Sequence, residues 1–289
     1  MTTASETTPA PDWSGLGVLV TGGAAGIGLA LGRAAAVRGA SVVLADIEPD
    51  VAEQAAVKLR ADGFDVTSLA CDVTDYDAVT AAVAEATARM GGLNLLCANA
   101  GVGGSTGIAD LTVEEFTWIM QVNLFGVFHA VRASVAALQA SAAAGALAHI
   151  LITGSENSLG IPEYVPPMTS YQTSKHALLG FTDAVRRDLA ASGVGATLLC
   201  PSYVVTEGWN AKRNRPARFG GPEYNDPSRR EALRKLGQDP DEVARMALAG
   251  VDERAEIVVT RETSKACADA RHRVVEAAFA RLAATTSPE

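Results

Sequence analysis

Aromatic side chains are scarce in this 289-residue chain, at 5%. Its core must therefore rest on Ala, Val, Leu and Ile. Cysteine is scarcer still, with four residues at 71, 97, 200 and 267. Their spacing suggests neither a zinc site nor a redox pair, and three fall in or beside apolar runs. They read as structural thiols of a reducing compartment. The four histidines, at 129, 149, 176 and 272, have no metal-ligand spacing. No uninterrupted apolar run reaches ~18 residues, so no membrane span is predicted. Basic residues are outnumbered 24 to 33, and the net charge of -9 argues against nucleic acid as a partner. The opening residues, MTTASETTPAPD, lack a basic stretch followed by an apolar one, so no secretory signal is expected. Residues 1–12 are predicted to be a disordered tail, and a cytoplasmic location follows by default.

What the chain does have begins at residues 21–28, TGGAAGIG. An apolar run precedes it and an apolar-periodic stretch follows, the order strand, glycine turn, helix. Gly22 permits the tight turn, Gly26 lets a phosphate approach the backbone, and Gly28 lets the helix lie close to the sheet. The N–H groups at the helix start, with Ile27 among them, then face an anion, with the positive end of the helix dipole behind them.

Strand and helix signals alternate along the rest of the chain. Strands are predicted at Ser41–Asp46, Val66–Ala70, 93–98, His149–Thr153, 196–200 and 256–260. Helices are predicted at Pro49–Ala61, 75–90, 112–139 with a break at Asn123, 171–191, 241–249 and 264–283. Residues 140–148 read as a loop or a frayed helix end. The strands are apolar throughout, as in a parallel sheet covered on both faces. The fold class expected is α/β: a Rossmann-type, doubly wound, seven-stranded parallel sheet with helices on both faces. Residues 13–289 read as one domain. Residues 202–240 interrupt the rhythm with Pro, Gly, Asn and Arg, and carry Tyr203, Trp209, Phe219 and Tyr224. An insertion of this length after a strand reads as a substrate lid.

Two sets of residues carry chemistry. Asp46 ends the second strand, where a carboxylate can accept hydrogen bonds from a ribose diol and repel a 2′-phosphate. No Lys or Arg lies in the glycine loop or at 47–52, so NAD is favoured over NADP. Tyr171 and Lys175 are four apart at the start of a predicted helix, so phenol and ammonium share a face. The positive charge is expected to lower the phenol's pKa and suit it to proton exchange with an alcohol or ketone oxygen.

Taken in order, these motifs resemble the short-chain dehydrogenase/reductase family in its compact single-domain branch. The likeness spans roughly residues 14–260 and adds Asp72-Val73, Asn99-Ala100-Gly101, Asn123, a serine after the fifth strand, and Pro201 followed by Val204 and Thr206. It implies that Asp72 and Val73 hold the adenine, that Asn99 lines the adenosine ribose, and that Val204 and Thr206 grip the nicotinamide carboxamide. It implies that Asn123 holds a water relaying protons to Lys175, and that the serine orients the substrate. Ser155 suits that role by its place at the strand end. Ser158 suits it by its distance of 13 residues from Tyr171.

The resemblance thus implies an oxidoreductase acting on a secondary alcohol or ketone with NAD, without a metal. The rivals are an epimerase or dehydratase that retains NAD and a silent dinucleotide sensor. The usual Val-Asp-Gly-Gly ending is missing, so a homodimer is as plausible as a homotetramer. Lys212, Arg213, Arg215 and Arg218 form a basic cluster in the lid, read either as a solvated loop or as a site for an anionic substrate group.

Overall fold

The computed structural model describes residues 11–224, 231 and 234–286. Residues 1–10 of the tail predicted at 1–12, and lid residues 225–230 and 232–233, lie outside them, as does the side chain of Trp209. Seven strands form one parallel sheet. In chain order they are β1 (Gly17–Thr21), β2 (Ser41–Asp46), β3 (Val66–Ala70), β4 (Leu95–Ala98), β5 (His149–Thr153), β6 (Gly195–Cys200) and β7 (Ile257–Val259). Their spatial order is β3-β2-β1-β4-β5-β6-β7. The order reverses between β1 and β4, which opens a crevice at the carboxyl ends of those strands.

The helices are α1 (Gly26–Val37), α2 (Pro49–Ala61), α3 (Tyr76–Met90), α4 (Val113–Met120), α5 (Gly126–Ala143), α6 (Thr169–Leu189), α7 (Pro240–Asp252) and α8 (Lys265–Thr286). They cover both faces of the sheet. Leu31, Ala35, Val243 and Leu248 pack on one face with Val18 and Val20. Val79, Val83, Ala130, Val131 and Leu178 pack on the other with Leu19, Leu96 and Ile150. β1, β4 and β5 are buried along their whole length, which is why their sequences are apolar rather than alternating. The doubly wound, seven-stranded parallel fold expected from sequence is the fold observed.

Most predicted bounds shift by one to three residues, and the long helix around Asn123 differs most. The helix expected to break at Asn123 continues through a π-turn, Gln121–Phe125, between α4 and α5. The polar side chain that suggested a break is instead satisfied by a neighbouring loop. Asn123 Oδ1 accepts from the Val102 N–H at 2.8 Å, and its Nδ2 donates to the Val102 carbonyl at 2.9 Å. The helix then runs on to Ala143, through the first half of the alanine-rich stretch. The resulting rod, Val113–Ala143, is long and apolar enough by composition to cross a membrane. Its apolar side meets the sheet: Val127, Ala130, Val131 and Leu138 sit in the core beside Leu96 and Ile150.

Beyond β6, two short 3-10 helices, Glu207–Asn214 and Ala217–Phe219, fold back over the crevice. Val204 bridges Gln238, which anchors the root of this segment beside α7.

Candidate active site

The crevice is a cavity of about 760 Å³. Its outer half is built on the glycine turn. Gly22 and Gly26 have φ of +65° and +57°, a backbone region that disfavours side chains. A Cβ on Gly28 would lie 2.0 Å from the Gly22 carbonyl oxygen, so this residue keeps α1 against the turn. The residue before α1, Ala25, offers no side-chain cap and no acid lies in the first turn, which leaves the leading N–H groups for an anion.

Asp46 stands at the end of β2. Its Oδ2 accepts from the Ala24 N–H at 2.9 Å and its Oδ1 from the Glu48 N–H at 3.0 Å. Each oxygen retains acceptor capacity for a further donor. Burial raises the Asp46 pKa above the ordinary aspartate value, against the pull of those two N–H donors. Asp72 folds onto Thr74, whose N–H and hydroxyl donate to Oδ1 at 2.9 and 2.7 Å. Asn99 is locked to the glycine turn by Nδ2 bonds to the Thr21 and Gly22 carbonyls, both 3.1 Å. This half can accommodate a dinucleotide: an uncapped helix start for phosphate, a carboxylate for a ribose diol, and Asp72 and Val73 at the far end.

The inner half lies where β5 and β6 end. Ser155 follows β5 and is buried. Its hydroxyl bonds the Tyr171 phenol, which pulls that phenol's pKa down, but burial is the larger effect and leaves it above the ordinary tyrosine value. The ammonium of Lys175 is 5.8 Å from the centre of the Tyr171 ring. It donates to the Thr153 carbonyl at 2.8 Å. Burial of the phenol outweighs its polar neighbours, so the lowered tyrosine expected from sequence is not what this arrangement produces. Lys175 itself is 4% exposed, and burial lowers its pKa to about 8.

Gly22, Gly26, Ile27, Asp46, Asp72, Val73, Asn99, Ser155, Tyr171, Lys175, Val204 and Thr206 all line this one cavity. Three residues singled out from sequence do not. Gly28 is turned into the helix–turn contact. Asn123 lies behind the wall, with Ser174 Oγ 3.0 Å from its Nδ2. Ser158 is fully buried; it donates to the Lys175 carbonyl at 2.7 Å and accepts from the Ser155 N–H at 3.2 Å. Of the two candidate serines, Ser155 faces the cavity and Ser158 ties its floor to α6.

The basic cluster beyond β6 is fully engaged with acids. Lys212 reaches Glu115 at 3.1 Å and Glu223 at 3.3 Å. Arg213 pairs with Glu48 at 2.6 Å, and Arg215 with Glu223 at 3.3 Å. Arg218 donates to Thr74 at 3.1 Å and lies 4.0 Å from Asp72. The partners Glu115, Glu48 and Asp72 lie far away in sequence, which is why spacing alone left them unread; Glu223 is local, 8 and 11 residues from Arg215 and Lys212. Glu156 was missed for a similar reason. It is buried beside Ser155 and held by Tyr164 and Ser264, neither of which local sequence connects to it.

Comparison with known proteins agrees with this geometry. A family profile described as short chain dehydrogenase matches residues 17–217. The 1-deoxy-11-beta-hydroxypentalenate dehydrogenase of Streptomyces avermitilis is 36% identical, over 68% of this chain and 72% of the relative. A short-chain dehydrogenase/reductase from Burkholderia phymatum, solved with NAD, superposes with a TM-score of 0.82 at 29% identity, covering 92% of this chain and 96% of that one. A short-chain dehydrogenase from Burkholderia cenocepacia, solved with NADP, superposes with a TM-score of 0.71 at 26% identity, covering 88% and 99%. With its parallel sheet, its glycine turn and its serine, tyrosine and lysine in one cavity, this chain belongs to the short-chain dehydrogenase/reductase family of oxidoreductases.

Proposed function

We propose that the protein interconverts a secondary alcohol and a ketone, with NAD as its preferred cofactor and Tyr171 as acid and base. The observation that carries this reading is the meeting of Ser155, Tyr171 and Lys175 in the cavity that also holds Asp46. The nicotinamide, when bound, supplies hydride acceptance or donation at the carbinol carbon. Every other task falls to side chains. Ser155 donates to the substrate oxygen and holds it beside the phenol. Tyr171 Oη takes the proton from that oxygen during oxidation and returns it during reduction. Lys175, placed beside the ring, holds the adjoining ribose and is the next proton carrier. Asn123 fixes the loop at Val102 and α6 at Ser174, and so sets where Lys175 stands. Developing charge on the substrate oxygen meets hydroxyl donors already in position.

The preference for NAD rests on Asp46. A ribose diol would complete its acceptor capacity, whereas a 2′-phosphate would meet a fixed negative charge. Arg213, a lid cation that also lines the cavity, is engaged with Glu48. The test is initial rates on a panel of uncharged secondary alcohols with NAD and NADP. The reading predicts turnover with an NAD preference of about tenfold or more in kcat/KM, corresponding to ~1.4 kcal/mol. Binding of NAD without net turnover on any alcohol would point instead to a silent sensor or an NAD-retaining epimerase.

A further inference from the structure

The inner half of the cavity contains an acid that the proposed reaction does not use. Glu156 lines the cavity next to Ser155 and is 3% exposed. Its Oε2 accepts from the Tyr164 hydroxyl at 2.6 Å and from the Ser264 hydroxyl at 2.8 Å. Two hydroxyls donating to one oxygen solvate a carboxylate but neutralise none of its charge. Tyr164 comes from the loop before α6, and Ser264 from the turn before α8. The acid therefore joins the loop before α6 to the turn before α8 and is held in place by both.

Among the described residues, no Lys or Arg forms an ion pair with Glu156. The cations within reach of the cavity already have partners. Lys212 is engaged with two glutamates, Arg213 with Glu48, and Lys175 with the Thr153 carbonyl. The other groups facing this corner, Tyr164, Tyr171, Tyr203 and Cys267, are held by their surroundings in their neutral forms. The remaining inner wall is largely apolar, with Trp118, Val165, Met168 and Ala211. An anionic group at this corner would meet a buried carboxylate, with the lid cations Lys212 and Arg213 already ion-paired and Lys175 held beside the Tyr171 ring. Away from bulk water that repulsion is much stronger than at an exposed surface.

We infer that Glu156 is a specificity-determining residue that restricts this cavity to uncharged or cationic carbonyl compounds with apolar bodies and rejects carboxylates and phosphates. The inference deepens the proposed function and rests on its placing of the substrate in the inner half of the cavity.

The test compares two ketones of matched shape, 4-acetylbenzamide and 4-acetylbenzoate. Their binding to the full chain saturated with NADH is measured by titration calorimetry. The amide is expected to bind about tenfold tighter or more. Glu156→Gln keeps an acceptor oxygen for Tyr164 and Ser264 and removes the charge. It is expected to strengthen carboxylate binding and bring the two ketones within about threefold. Tyr164→Phe removes a bond to Glu156 but not its charge, and is expected to preserve the preference. The wild-type comparison needs no variant to fold. Equal binding in the wild type overturns the inference. So does a preference unchanged in Glu156→Gln, or failure of both ketones to bind either protein. NADH oxidation with the amide is followed separately. If the binding preference holds but no NADH is consumed, the reaction is wrong and the specificity stands.

Discussion

The ammonium of Lys175 donates to the Thr153 carbonyl at 2.8 Å, and its own helix places it below the Tyr171 ring. The carbonyl ends β5, so one bond couples the helix of Tyr171 to the strand that Ser155 follows. Holding a charge at a 4% exposed position has a consequence for stability.

Burial lowers the Lys175 pKa from 10.5 to about 8. Between those values the unfolded chain binds the extra proton and the folded chain does not. Stability from this group therefore rises with pH through that window, and it is lost as pH falls from about 10.5 to about 8, below which both states are protonated. The shift corresponds to ~3 kcal/mol. Relative to Lys175→Met, the wild type should gain most of that stability between the two pKa values, measured by urea unfolding in the absence of cofactor. Parallel pH profiles would show that the lysine is not desolvated as described.

The two serines near β5 should separate cleanly. Ser155→Ala removes a donor to the substrate oxygen and should lower kcat by ~100-fold or more while the fold holds. Ser158→Ala strands the Lys175 carbonyl and the Ser155 N–H in a fully buried corner. It should destabilise by ~1–3 kcal/mol and affect kcat much less. Steady-state kinetics beside urea unfolding distinguishes the two. A larger kcat loss in Ser158→Ala than in Ser155→Ala would reverse their assignment.

Asp46→Ala should weaken NAD by ~10–100-fold, the range for charge-assisted hydrogen bonds. It should weaken NADP much less, because the same change removes the repulsion. Fluorescence titration with both reduced cofactors reads the ratio. An unchanged ratio would mean that cofactor choice is made elsewhere, with Arg213 and Glu48 the next residues to vary.

The Lys212–Glu115 pair is buried, with side chains 11% and 7% exposed. Glu115→Ala should destabilise by up to ~3 kcal/mol, less than a fully orphaned charge because Glu223 still reaches Lys212. The same variant loosens a cavity wall and should raise KM for the ketone more than it lowers kcat. Unfolding midpoints and kinetics that match the wild type would show that this pair does not hold the segment down.

Most of the fold was legible because its signals are local. Apolar runs of strand length and the glycine turn need only a few neighbouring residues. Helix starts are local too: Asp75 accepts from the N–H groups of Asp77 and Ala78, and Thr112 from that of Glu115. Asn123 misled because an asparagine in a helix reads as a break until its partner, the Val102 backbone, is in place. The phenol of Tyr171 misled because sequence spacing reports proximity to Lys175 but not burial, and burial proves the larger effect. Lys212, Arg213 and Arg218 looked free because Glu115, Glu48 and Asp72 lie far away in sequence. Each miss concerns a group whose partner or solvent exposure is set by long-range packing.

The most direct measurement of the central claim is Tyr171→Phe, assayed on the best secondary alcohol of the panel together with NADH binding. Losing the hydroxyl should lower turnover by ~1,000-fold or more, the range for a positioned acid/base. The NADH dissociation constant should stay within about threefold of the wild type. Turnover near the wild-type rate, with NADH binding intact, would contradict the proposal that Tyr171 moves the proton.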